Sequence, residues 1–570
     1  MNLNKFKINL NKYGIVFILF GFAVMALVGI FYNFSVINTI GDETVLMAAT
    51  LKMIAEMSLR ADFPTNYHMP VGTYMYMPFF IVFLLFLRLS GLFSSFAEIK
   101  EFGIIEYAKF LPVARFVSVI LGVLSIYLVY KICQKLFKNT FISLTAAFLL
   151  ATNAMFLLLA HFGKVWMPQI FAILLAVYCI VGLYYKYNTS LKDYLKQALL
   201  IGISFGTHFI GILVYIPFLV VHYFKNKNKT FYKIFIANKS LWVTNLAIIL
   251  LLFIVFYLNP YGFINYSKWS SSTTSHILDA GSENARFNLW RGVSAYAVFL
   301  FEYGYVLTVI FLASLIPLFR HRRDLFFILF SFIVGYYLVI GPFIASSTRE
   351  VSVYIGPMIP FMAIISAYGI HRFYQVDFIA KKIRVSIILL IMISSLYMPV
   401  MLDYALLRPS APVAASDWIQ NIIPSGTKIV NIGLLLPINE SKESIENTKK
   451  HNPGFLTKKQ NHLLSTDEGS YPKPNYYVFA PGLYQKGIPE EISDIDFDYV
   501  VISWYTGGYA EVFKEAESYG VKKEDLIQIF PSHATPDSFG STIESIRRPF
   551  FNLRKITYNG PAIAIYKISK

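Results

Sequence analysis

The chain has 570 residues, of which 56% are hydrophobic, 17% aromatic and only 15% charged. Soluble globular proteins carry about 25% charged residues, so the composition excludes a soluble protein and indicates a polytopic membrane protein. The formal net charge of +17 does not indicate nucleic-acid binding, because the lysines and arginines lie between apolar runs, as they do in cytoplasmic loops.

The N-terminus is basic at Lys5, Lys7 and Lys12 and leads into a long apolar run without a small-residue cleavage pattern. It reads as an uncleaved signal anchor. Cys133 and Cys179 lie in or beside apolar segments and make no disulfide framework. A span needs about 20 apolar residues, and basic loops mark the cytoplasmic side. On these rules Tyr13 to Phe34 is the first span, with the N-terminus cytoplasmic and Asp42 and Glu43 emerging outside. Val45 to Leu59 is helix-forming, too short to span, and is expected in the interface.

Met75 to Ser95 is apolar but contains Pro78, Arg88 and Gly91. Charge bias favours an interfacial or re-entrant segment there, because Lys131, Lys135 and Lys138 follow the next run, Leu111 to Tyr130. Phe141 to Ala160 then goes out to the loop HFGKVWMPQ, and Ile170 to Tyr185 returns. Leu195 to Phe224 would measure about 45 Å as one helix, long for one span and short for two. It is expected as two short helices meeting near His208 at the outer side. Later runs are Leu241 to Leu258, Ala295 to Phe319, Leu325 to Ile344, Tyr354 to Ile370 and Val385 to Leu402. The total is about eleven spans, with the C-terminus outside.

Beyond Asp403 the composition becomes that of a soluble α/β domain. APVAASDWIQNIIPSG reads as a helix followed by the strand KIVNIG. Lys442 to Asn475 is polar and expected to be loop-rich. DYVVISW reads as a buried strand, YAEVFKEAESYG as a helix, and LRKITYNGPAIAIYKI as a hairpin around Asn559 and Gly560. The expected division is a membrane domain, 1–402, whose first outer loop is 35–110, and an extracytoplasmic domain, 403–570.

The polar groups of the membrane domain gather on the expected outer side. Asp42, Glu43, Asp62, Glu98, Glu101, Glu106, Asp279, Glu283 and Glu350 lie there, with His68, Arg115, His161, Lys164, His208, Arg286, Arg291 and Arg349. A carrier of ions more often holds ionisable groups near the bilayer midplane. Polar groups at one surface suit an enzyme acting on a lipid headgroup. A carboxylate can take the proton of a hydroxyl acceptor, and fixed cations can stabilise a departing lipid phosphate. Standing alone, each group has a plainer reading. Asp42 and Glu43 fit a helix N-terminus, Arg115 an interfacial anchor, and His208 a bond to a neighbouring helix. His68 and His161 fit interface residues.

The order of segments resembles a known family. An acidic pair in GDETVLMA is followed by HMPVGTY and then by the arginine of LPVARFVSVILGVLSIYLVYKICQKLF. GISFGTHFIGIL, REVSVYIGPMIPFMAIISAYG and ASDWIQNIIPSGTKI come after. This layout is similar to the GT-C glycosyltransferases of the protein O-mannosyltransferase and lipid A aminoarabinose transferase type. The resemblance implies an inverting transfer of one sugar from a polyprenyl-phosphate donor to a hydroxyl of a protein, lipid or glycan, outside the plasma (inner) membrane. It implies Asp42 as base, with Glu43 beside it. Arg115, His208 and Arg349 are then expected near the donor phosphate, and His68, His161 and Lys164 near substrate.

Three positions depart from the family pattern. Met69 and Met167 stand before prolines where relatives carry a lysine or proline and an aspartate, and Thr207-His208-Phe209 replaces a Thr-Lys-Gly. No His/Cys/carboxylate spacing makes a metal site, although a divalent ion at Asp42 or Glu43 is compatible with the sequence. The rival readings are a transporter or flippase, another class of membrane enzyme such as an oligosaccharide polymerase or ligase, and a catalytically altered relative.

Overall fold

Backbone groups in hydrocarbon find no water to bond, so each apolar run satisfies its amides and carbonyls within itself as a helix. The computed structural model describes residues 3–31, 43–61, 69–258, 289–345, 352–467, 469, 471–483, 495–504, 509–532 and 549–568. The chain forms two units. One comprises Met1–Ile30, Asp42–Phe83 and Val113–Asp403, the other Phe31–Gly41, Leu84–Pro112 and Tyr404–Lys570.

The first helices are α1 (Leu3–Leu27), α2 (Glu43–Ala55), α3 (Val71–Leu89), α4 (Phe96–Ile105) and α5 (Leu111–Phe137). Then come α6 (Thr140–Ala151), α7 (Ala154–His161), α8 (Trp166–Tyr185), α9 (Leu191–Thr207), α10 (Tyr215–Asn226) and α11 (Lys239–Leu258). The later ones are α12 (Leu289–His321), α13 (Arg323–Ala345), α14 (Ile359–Tyr374), α15 (Lys381–Ser395) and α16 (Tyr397–Leu406). Among the described residues eight helical stretches are long and apolar enough to cross a membrane, or nine if α6 and α7, bent by 60°, make one span. The chain is a multi-pass membrane protein.

Two local expectations change. Met75 to Ser95 lies largely within α3, a 19-residue helix apolar enough to span. Pro78 is accommodated inside it, as prolines are in membrane helices. Arg88 falls in its last turn, where a long side chain can reach polar surroundings. The segment expected in the interface, α2, instead buries Glu43, Val45, Leu46, Met47, Ala49, Thr50 and Met53 in the protein. The break near His208 is present: α9 ends at Thr207, a 3-10 turn runs Phe209–Val214, and α10 follows.

Breaks elsewhere are repaired by side chains. Asn153 starts α7 by accepting the Phe156 amide at 3.0 Å, the behaviour of an N-cap. Within α12 the backbone leaves the helical region at Gly304, with φ −155° and ψ 44°. There the Thr308 hydroxyl donates to the Leu300 carbonyl at 2.7 Å.

The C-terminal part of the second unit holds α17 (Ala411–Ile422), α18 (Lys442–His451), α19 (Lys458–Leu464) and α20 (Tyr509–Glu517). Its strands are β1 (Lys428–Ile432), β2 (Tyr477–Phe479), β3 (Tyr499–Trp504), β4 (Leu526–Phe530) and β5 (Ala562–Lys567), in the sheet order β2-β1-β3-β5-β4. β1 is parallel to β2 and β3, and β5 is antiparallel to β3 and β4. Alternate side chains enter two cores, one with Val430, Phe479, Val500 and Tyr566, the other with Ile419, Ile429, Val501 and Ile565.

The expected hairpin at Asn559-Gly560 is absent. Gly560 turns the chain with φ +96°, but β5 pairs with β3 and β4 rather than with the residues before the turn. Asn559 is occupied otherwise: its side-chain amide donates to the carbonyls of Ala405 at 2.7 Å and Arg408 at 2.9 Å. The stretch expected to be loop-rich contains α18 and α19. Ser444 of α18 donates to the Val478 carbonyl at 2.8 Å and accepts the Val478 amide at 3.1 Å.

Candidate functional site

Glu43 is the first residue of α2, and Arg115 lies near the start of α5. The guanidinium grips the carboxylate with two bonds, Nε to Oε1 at 2.7 Å and an Nη to Oε2 at 2.9 Å. Its other Nη donates to the Ile30 carbonyl at 2.9 Å. The Gly163 amide also donates to Glu43 Oε1, at 3.1 Å. Glu43 and Arg115 are both buried. A bidentate pair of this kind fixes geometry as well as charge.

The loop between α7 and α8 is thereby drawn against α5. A Cβ at position 163 would lie 2.6 Å from the Ala114 Cβ, so only glycine lets the amide come this close. The same loop is held by Tyr76 of α3. Its hydroxyl meets the Ser118 hydroxyl at 2.9 Å and donates to the Lys164 carbonyl at 3.1 Å. Lys164 itself is buried.

His161 closes α7. Its Nδ1–H donates to the Leu157 carbonyl at 2.8 Å, and its Nε2 stands 3.4 Å from Asp403 Oδ1. His208 sits in the break after α9, where its Nδ1 accepts the Ile210 amide at 3.3 Å. The ring lies 5.2 Å from that of Trp166 and 4.6 Å from that of Phe209, and Trp166 meets Tyr354 edge-on at 4.8 Å. With Nδ1 accepting, a neutral His208 carries its proton on Nε2.

The structure thus brings Glu43, Arg115 and the loop holding His161 and Lys164 together, and sets Trp166 of α8 against His208. Asp42, His68 and Arg349 lie outside the described residues. Tyr76, Gly163, Trp166, Tyr354 and Asp403 were not singled out as site residues in the sequence. Asp403 had a visible signal, an acid at the end of an apolar run, but it reads there as a domain boundary.

Glu43 accepts three hydrogen bonds, two from Arg115 and one from the Gly163 amide. A divalent ion at Glu43 would have to compete with Arg115. Among the described residues no group of three or more His, Cys, Asp or Glu side chains could hold a metal ion.

Residues 109–258 match the family model described as dolichyl-phosphate-mannose-protein mannosyltransferase. The matched stretch contains Arg115, His161, Lys164 and His208, and the resemblance to GT-C glycosyltransferases of this type stands on it. Among solved structures, ArnT from Cupriavidus metallidurans bound to undecaprenyl phosphate is similar at a TM-score of 0.47 and 12% identity, over 96% of this chain and 97% of that one. The archaeal oligosaccharyltransferase AglB from Archaeoglobus fulgidus, with an inhibitory peptide and a dolichol-phosphate, gives 0.42 and 13% over 87% and 70%. The S. cerevisiae protein O-mannosyltransferase Pmt1-Pmt2 complex bound to the sugar donor gives 0.29 and 15% over 49% and 37%. No curated protein sequence matches the chain.

Proposed function

We propose that the protein is an inverting glycosyltransferase that moves one sugar from a polyprenyl-phosphate donor to a hydroxyl acceptor at the extracytoplasmic face of the plasma (inner) membrane. The N-terminus is then cytoplasmic and the C-terminal domain extracytoplasmic. The observation that carries this reading is the knot of Glu43, Arg115 and the Gly163 amide, within and beside the segment that matches the mannosyltransferase family model. It pins the residue next to Asp42 to the loop that holds Lys164.

In this reading Asp42 takes the acceptor proton as the acceptor oxygen attacks the anomeric carbon. The bond from that carbon to the phosphate oxygen breaks on the opposite face, and the lipid phosphate leaves with the electron pair. Lys164 and Arg349 supply positive charge for it, and His208 donates a hydrogen bond through Nε2–H. Arg115 contributes by fixing Glu43. The bilayer solvates the prenyl tail.

A second reading, a catalytically altered relative, is favoured by Met69 and Met167. Both are buried, and Met69 packs against Phe205 and Val255 in an apolar cluster. Charged partners of the family type are therefore replaced by core.

One experiment separates the readings. Purified full-length protein is given a panel of polyprenyl-phosphate sugars, and sugar transfer is followed by mass spectrometry. Asp42→Asn is expected to lower transfer by about 10²–10⁴-fold, the usual worth of a positioned base, with an unchanged melting temperature. Transfer at the normal rate in that variant would remove Asp42 from the chemistry. No transfer from any donor by the natural protein would favour the altered relative.

A further inference from the structure

His161 and Asp403 face each other inside the helical unit, and nothing in the chemistry above uses them. His161 is 2% exposed and Asp403 9%. The His161 Nε2 and Asp403 Oδ1 atoms are buried, 3.4 Å apart, and neither has a hydrogen-bond partner in the structure. Because Nδ1–H is committed to the Leu157 carbonyl, one proton, carried by Nε2 or by Oδ1, is what a bond across this gap requires. Without that proton a buried carboxylate would confront a ring lone pair, and an uncompensated buried charge is strongly destabilising. The carbonyls of Met25 and Val28 also face the ring from the end of α1, and Arg115 of α5 is the other charge acting on it.

The position of the pair gives it a use. His161 ends α7 and begins the loop whose Gly163 amide holds Glu43. Asp403 lies in α16, the last helix before the C-terminal domain. We infer that His161 and Asp403 form a proton-dependent latch that fastens the α7–α8 loop to α16, and so positions the Gly163–Glu43–Arg115 knot. Both are positioning residues, reaching the reaction only through the loop. The latch follows from the geometry alone, and its effect on transfer rests on the glycosyltransferase reading.

Hydrogen exchange on the full-length protein in detergent micelles tests the latch without any substrate. His161→Ala and Asp403→Ala are expected to speed exchange at the Gly163 and Lys164 amides by at least about tenfold, as local opening becomes easier. Asp403→Asn keeps the shape and presents an amide N–H to Nε2, so the loop should stay protected. Where transfer is measurable, the natural enzyme should lose activity on the alkaline side as the shared proton leaves, and Asp403→Asn should lack that limb. Unchanged protection in Asp403→Ala would overturn the latch, whatever the transfer assay reads. An alkaline limb retained in Asp403→Asn would overturn its proton dependence. Lost protection in the alanine variants, with no transfer by the natural protein from any donor, would instead overturn the glycosyltransferase reading and leave the latch standing.

Discussion

The two units satisfy their buried polar groups in different ways. The helical unit joins charge to charge at Arg115 and Glu43, and sets His161 beside Asp403. In the sheet-bearing unit several neutral side chains are tied to backbone. Ser444 bonds Val478 twice, Asn559 bonds Ala405 and Arg408, and the Tyr476 hydroxyl donates to the Ile419 and Ile423 carbonyls, each at 3.1 Å. The contrast follows from what each choice costs. Desolvating two ions costs several kcal/mol apiece, recovered only with near-ideal geometry, whereas a neutral bond contributes about 1 kcal/mol at little risk. A fold that needed only stability would use the second kind throughout. The Arg115–Glu43 pair is the helical unit's use of the costlier kind.

The sharpest way to break this contrast is to remove one ion. Arg115→Ala should destabilise the protein by about 3–5 kcal/mol, since Glu43 is left buried and unpaired. Replacing both, with Arg115→Met and Glu43→Leu, should restore most of the melting temperature in detergent but not sugar transfer. If the double variant stayed as unstable as the single one, the pair would be structural after all. Next in size is Gly163→Ala, expected to cost about 1–3 kcal/mol through the collision with Ala114. Adding Ala114→Gly should recover most of it, as read by thermal melting.

In the other unit Asn559→Ala should cost about 1–2 kcal/mol, by loss of two bonds to backbone carbonyls, measured by denaturant melting of the whole protein. The smallest effect concerns Glu440. Burial holds its carboxyl above the usual carboxylate range, opposed by the Gln460 amide, which donates to it at 2.7 Å. A carboxyl raised in the folded state favours folding below its ordinary pKa, and that contribution is lost as pH rises through the raised value. Glu440→Gln should therefore be more stable than the natural protein at alkaline pH and little changed at acid pH. Melting at pH values either side of neutrality would show it.

Much of the helical layout is legible because hydrocarbon imposes a simple rule on sequence. The break at His208 could be seen in a run too long for one span and too short for two, and strands β1 and β3 in their dense β-branched residues. What sequence hid was pairing at a distance. Arg115 and Glu43 are 72 residues apart, and no local pattern says that this guanidinium meets this acid. Lys442 to Asn475 misled in the opposite sense. The described buried residues of α18 are Ser444, Ile445 and Thr448, too few for its polar sequence to show a helical stripe. The Asn559-Gly560 turn was visible, but its partner was not, because Asn559 bonds carbonyls about 150 residues earlier in the chain, at separations of 154 and 151.

The two bonds from Ser444 have a consequence for crowding at a membrane. β2 is a terminal strand of the sheet, and the Val478 amide and carbonyl lie on the side away from β1, where a strand from another molecule would attach. An open rim of this sort is a template for aggregation. One hydroxyl occupies both Val478 groups, while the Tyr476 amide and carbonyl bond Asn439 and Ser441. That rim of the sheet is closed by the chain's own residues, so neighbouring copies packed at high density in the membrane find no strand there to extend.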